Sequence, residues 1–134
     1  MNVLVNIDVA DLDAALRFYR DGLGLEPARR FGDAAIELRA GSTMVYLLKK
    51  HEGSSPYPDA DSARSFTRHW TPVHLDVVTS SIGPAVARAM AAGARLESPI
   101  AGHAWGRIAG LSDPFGNGFC ILEFTEAGYD AIAT

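Results

Sequence analysis

WGRIAGLSDPFGNGFCILEF, residues 105–124, sets a turn between two apolar runs. Asp113-Pro114-Phe115-Gly116-Asn117-Gly118 has the chemistry of a tight reversal. Pro114 presets φ for the second position of a turn, and Asn117 and the two glycines tolerate φ > 0. Ile108–Leu111 leads in, and Phe119–Phe124 leads out as a strand. Side chains alternate along a strand. Gly118, Cys120, Leu122 and Phe124 therefore share one face, and Phe119, Ile121 and Glu123 the other. Whichever face looks into a cavity decides the chemistry of that cavity.

Working outward, Val73-His74-Leu75-Asp76-Val77 reads as a strand, and Ser80 or Ser81 caps a helix after it. Pro84 is tolerated in that helix's first turn, Ile82, Val86, Ala89 and Met90 form its apolar stripe, and Gly93 ends it. Three strands follow near Arg95–Pro99, Arg107–Leu111 and Gly118–Phe124.

The first half of the chain has the same order. Met1–Ala10 is a strand, and its Val5-Asn6-Ile7-Asp8-Val9 is echoed by Val73-His74-Leu75-Asp76-Val77. Asp11 caps a helix with Leu12, Leu16, Tyr19 and Leu23 at helical spacing, ended by Gly22 or Gly24. Leu25–Phe31, Ala34–Ala40 and Thr43–Lys49 are three strands joined by the hairpin-like Gly32-Asp33 and Gly41-Ser42. Between the halves, Lys50–Pro72 has no periodicity and reads as a linker, a lid, or both.

The expectation is one α+β domain over 1–134 with βαβββ twice: module 1 over 1–49, linker 50–72, module 2 over 73–124. The C-terminal tail over 125–134 is expected to form a short helix.

A chain of 134 residues with 48% hydrophobic and 21% charged residues is ordinary for one globular domain. The net charge of −4 and the absence of a basic cluster exclude nucleic acid and anionic membranes as expected partners. One cysteine, Cys120, excludes an internal disulfide and a cysteine-based zinc cluster. With no signal peptide and no long apolar run, a cytoplasmic location is expected.

Asp11-Leu-Asp-Ala-Ala-Leu-Arg-Phe-Tyr19 with Gly22-Leu-Gly-Leu25 resembles the first helix of the vicinal oxygen chelate superfamily. His74-Leu-Asp-Val, Ala89–Gly93 and Asp113-Pro-Phe-Gly-Asn resemble its second module. Glyoxalase I, fosfomycin-resistance transferases, extradiol dioxygenases and bleomycin-resistance proteins are members. The resemblance implies paired modules that curl into a cup-shaped, barrel-like sheet with helices outside, and a homodimer. It also implies one divalent metal in the enzymes, held by His, Glu or Gln. Carried over position by position, those ligands fall on Leu4 (or Asn6 by the echo), Val45 or Tyr46, His74 and Cys120. Of these, His74 alone is a conventional metal ligand.

The function expected is binding of a small organic ligand in the cup, of the bleomycin-resistance kind, with no cofactor. The alternative is a lyase, isomerase or dioxygenase with a degenerate site around His74 and one divalent ion (Zn, Fe, Mn, Ni or Mg). Ligand-binding candidates are Asn6, Tyr46, His74, Asp76, Trp105, Arg107 and Cys120. His74 is a hydrogen-bonding or metal-ligating imidazole, and Asp76, on the same face, can orient it. Trp105 can stack on a flat ligand, Arg107 can clamp a carboxylate, and Tyr46 offers a hydroxyl. Cys120 reads first as a small buried residue, and as thiolate it would favour zinc.

Overall fold

The computed structural model describes residues 1–134. Two βαβββ modules are present, each with its own four-stranded sheet. Module 1 runs β1 (Val5–Val9), α1 (Leu12–Arg17), β2 (Glu26–Phe31), β3 (Ala35–Ala40) and β4 (Thr43–Lys49). Module 2 runs β5 (Leu75–Val78), α2 (Ile82–Ala91), β6 (Arg95–His103), β7 (Gly106–Ser112) and β8 (Gly118–Phe124). The strand orders are β1-β4-β3-β2 and β5-β8-β7-β6, with β1 parallel to β4 and β5 parallel to β8. Each sheet ends on its opening strand, so the sheets do not close into one another and the assembly is an open cup.

Alternation fixes which face is core. Ile7, Val9, Ile36, Leu38, Val45 and Leu47 from sheet 1 join Ala109, Leu111, Phe119 and Ile121 from sheet 2 in one apolar cluster with both helices. The intervening residues, Asn6, Tyr46 and Glu37 in one row and Asp76, Cys120 and Gly110 in the other, lie on the opposite face. Leu122 shares the Cys120 face and is buried at 1% exposure, outside that cluster.

Asp11 caps α1 as expected, its carboxylate accepting the Ala14 N–H at 2.8 Å. The helix then widens into a π-helical turn over Phe18–Gly22, which buries Phe18 and Tyr19 together. A Cβ on Gly22 would lie 2.9 Å from that of Ala92, so the missing side chain permits close approach of the two helical segments. Beyond the sheets, Gly128–Ala131 forms a short 3₁₀ turn.

Residues 50–72 contain no helix or strand, yet they are docked. Gly53 N–H donates to Arg64 C=O at 2.8 Å and Arg64 N–H to Ser54 C=O at 2.9 Å. The Arg64 guanidinium reaches Asp8 on β1 at 2.8 Å, and Phe66 packs edge-on against Phe115. Gly116, at φ 83°, would drive a Cβ to 2.7 Å from the Thr67 carbonyl. The turn and the linker therefore fit only with glycine there.

Candidate functional site

The turn over Asp113–Gly118 is held by one carboxylate. Asp113 Oδ1 accepts the N–H groups of Phe115 (2.8 Å) and Asn117 (2.9 Å); Oδ2 accepts the Tyr19 hydroxyl (2.7 Å) and the Asn117 amide (2.9 Å). The Asn117 amide also donates to the Asp8 C=O at 3.3 Å. These bonds tie the start of β8 to module 1 beside the free edges of β1 and β5.

Between those edges runs a cleft of about 500 Å³, floored by the linker. Asn6, Asp8, Arg64, His69, His74 and Asn117 are its chemistry-bearing residues, and Ile7, Leu23, Phe66 and Phe119 supply apolar wall. A second, larger groove of about 800 Å³ shares Val5, Ile7, Tyr19, Leu23, Leu75 and Val77 with it and has Asp76 on its wall. Volume and mixed lining are those of a small-molecule site.

His74 Nε2 lies 3.3 Å from Asp76 Oδ1, and donor atoms of His74, Asp76 and Cys120 all lie within 4.8 Å of one another. The register explains the third member, because Asp76 is the cross-strand partner of Cys120. Burial pushes the Cys120 thiol's pKa up, and the neighbouring Asp76 charge pushes it further. Cys120 is therefore a protonated thiol rather than a resting nucleophile. For zinc with bonds near 2.0 Å, the tetrahedral donor–donor edge is about 3.3 Å. The His74–Asp76 separation fits that edge, and three protein donors leave a fourth position open.

The other candidates are placed elsewhere. Tyr46 pairs with Asn6 across the strands, but its hydroxyl donates to Glu37 Oε2 at 2.7 Å. Arg107 lies on the helix side: it bonds Glu123 at 2.8 Å, and Glu123 Oε2 accepts the Ile82 N–H at 2.7 Å. That carboxylate is held below the usual range by Arg107 first and the Ile82 N–H second. Trp105 stacks on His103 at 5.1 Å and packs against Phe124 and Tyr129, beyond the far end of β8. Leu4, 57% exposed, offers no donor.

Sequence reasoning missed Arg64 and Glu37. Arg64 sits in an aperiodic stretch, and its partner Asp8 is 56 residues away. Glu37 occupies the centre of β3 at 3% exposure, bound by Arg29 through both oxygens. Arg29 and then Tyr46 lower its pKa to about 2. An alternating strand gives no local sign that its polar face is covered.

The glyoxalase-like domain family matches residues 4–122. The chain belongs to this family. It is thereby a member of the vicinal oxygen chelate superfamily. No curated protein matches. Among solved structures, a glyoxalase-related enzyme from Fulvimarina pelagi is 22% identical, with TM-score 0.68 over 92% of this chain and 88% of that one. The fosfomycin resistance protein FosX from Listeria monocytogenes is 14% identical, TM-score 0.70, covering 94% of each chain. A glyoxalase/bleomycin resistance protein from Albidiferax ferrireducens is 22% identical, TM-score 0.66, over 90% and 96%. At these identities the glyoxalase-like chain shares their fold. Metals are common in the superfamily, and His74, Asp76 and Cys120 form a group of donors that could hold one. No helix is long and apolar enough to cross a membrane.

Proposed function

We propose that the protein binds a small organic ligand in the cleft between β1 and β5, with no cofactor required. The observation that supports this reading is the cleft of about 500 Å³ itself, lined by both polar groups and apolar side chains. His74 and Asn6 supply hydrogen bonds to the ligand, and Asp76 orients the imidazole. The working unit is a homodimer in the cytoplasm. The unpaired edges of β1 and β5, with Val3, Leu4 and Val73 exposed beside them, favour association with a second copy.

A second reading is a metal-dependent lyase, isomerase or dioxygenase. The clustering of three donor atoms favours it, with His74, Asp76 and Cys120 as the residues that would hold zinc. A bound divalent ion would polarise a substrate oxygen.

Elemental mass spectrometry of protein purified without added metal separates the two, run on wild type and His74→Ala. The binding reading expects substoichiometric metal in both, and small-molecule hits in a thermal-shift screen whose stabilisation His74→Ala removes. Near-stoichiometric metal that His74→Ala abolishes would replace it with the enzyme.

A further inference from the structure

The face of sheet 1 turned away from the helices, which Glu37 shares with Asn6 and Tyr46, carries a second polar construction two strands from the cleft-lining β1. Glu37, in mid-β3, is 3% exposed, and both its oxygens are taken. Oε1 accepts Arg29 Nε–H at 2.8 Å; Oε2 accepts Arg29 Nη2–H at 2.6 Å and the Tyr46 hydroxyl at 2.7 Å. Residues from three adjacent strands thus fix one guanidinium. Arg29 comes from the irregular stretch of β2 between Pro27 and Arg30, where the register shifts and the strand can turn its side chain over the face.

The guanidinium is nevertheless exposed, at 70% of its side chain. It has five N–H donors. Glu37 takes two of them, from Nε and Nη2. The remaining three lie on Nη1 and Nη2, which together make the end-on fork, the geometry that receives a carboxylate through two parallel bonds. An exposed ion pair by itself stabilises little, because ordering two long side chains offsets the attraction. Here a buried acid and a tyrosine order the arginine from behind while its second fork stays open.

The surroundings select the ligand. Phe31 lies under the guanidinium, 5.4 Å from ring centre to Cζ, and 6.4 Å from Tyr46, so the fork opens beside an aromatic wall. Arg39 shares this face two residues from Glu37 and is held only loosely, by Glu26 at 3.5 Å. Exposed positive charge beside aromatic rings suits a flat anion.

We propose that Arg29, ordered by Glu37 and Tyr46, is the anchor of a binding site for aryl carboxylates on the helix-free face of module 1. The site does not depend on His74 or on the reading of the cleft. Its ligand would set the carboxylate on the free fork and its ring against Phe31 and Tyr46.

Benzoate and its neutral analogue benzamide are the probes, titrated by calorimetry and by chemical-shift change at neutral pH and low salt. Wild type is expected to bind benzoate saturably, with shifts at Arg29, Phe31 and Tyr46, and benzamide much more weakly. Arg29→Gln should weaken benzoate by about tenfold or more. Because that variant leaves Glu37 buried without its cation, Arg29→Gln/Glu37→Gln repeats the test with no unpaired charge and should show the same loss. His74→Ala should leave benzoate affinity within about twofold. Absence of saturable binding in wild type, equal binding of benzamide, or undiminished binding by the double variant would each overturn the site. Loss in His74→Ala as large as in the Arg29 variants would move benzoate to the cleft and overturn it too.

Discussion

Glu123 Oε2 accepts the backbone N–H of Ile82 at 2.7 Å, so the last strand of module 2 caps its own module's helix. Ser81 stands at the N-cap position but its side chain makes no capping bond. A carboxylate at a helix N-terminus satisfies an orphan donor and meets the positive end of the dipole. Glu123→Ala should therefore lower the melting temperature by a few degrees, while Ser81→Ala leaves it unchanged. Thermal melts by circular dichroism check this. Equal losses in the two variants would return the cap to Ser81.

Tyr19 and Asp113 join the modules across 94 residues of sequence. The Tyr19 hydroxyl is buried, and burial, followed by the Asp113 charge, raises its pKa well above the ordinary value, so it acts as a donor throughout the working pH range. Tyr19→Phe removes one bond and should cost about 1–2 kcal/mol. Asp113→Ala also releases the Phe115 and Asn117 N–H groups and should cost about 3–5 kcal/mol. Urea unfolding of both and of the double variant should show a combined loss smaller than the sum, since they share a bond. Strict additivity would mean that the hydroxyl contributes nothing through Asp113.

How far this architecture was legible depended on the range of the interactions. Thr43–Lys49 and Gly118–Phe124 were readable to their end residues because apolar runs and turn residues bound them locally. The Asp11 cap was readable for the same reason. β6 was not: it runs on to His103 through Pro99, with register shifts on both sides of Ser98, because an outer strand tolerates proline and irregularity. In the site, the echo paired Asn6 with His74, and both line one cleft; the approach of Asp76 to Cys120 follows from the β5–β8 register, which no single strand displays. Alternation could not show that Arg107 is engaged by Glu123 on the helix side, because Glu123's role as a cap joins residues 41 apart. Nor could it show the covering of Glu37, which depends on Arg29 folding back over the sheet.

Glu37 gives the stability a pH signature. Its folded pKa of about 2, held there by Arg29 and Tyr46, lies below the ordinary glutamate value of 4.5. A depressed carboxylate contributes stability that is present in full above its unfolded pKa and is lost as pH falls through the folded one. The melting temperature of wild type should therefore drop between about pH 4.5 and pH 2. Glu37→Gln should be less stable at neutral pH and flatter across that window. Melts of the two proteins in parallel buffers decide it; curves that stay parallel down to pH 2 would remove Glu37 as a source of the acid response.

Cys120 should be a slow thiol, and Asp76 part of the reason. Burial raises its pKa first, and the adjacent Asp76 charge disfavours the thiolate further. Alkylation by iodoacetamide runs through the thiolate, so at neutral pH Cys120 should react more slowly than free cysteine and accelerate as pH rises. Asp76→Asn removes the negative charge but leaves the burial. The sign follows: the pKa falls toward its ordinary value without reaching it, and the neutral-pH rate rises severalfold. His74→Ala leaves Asp76 in place and should not produce that rise. The measurement is the alkylation rate by intact mass across pH in metal-free protein for all three. A wild-type rate matching free cysteine, or an Asp76→Asn rate no faster than wild type, would show that the carboxylate does not govern the thiol.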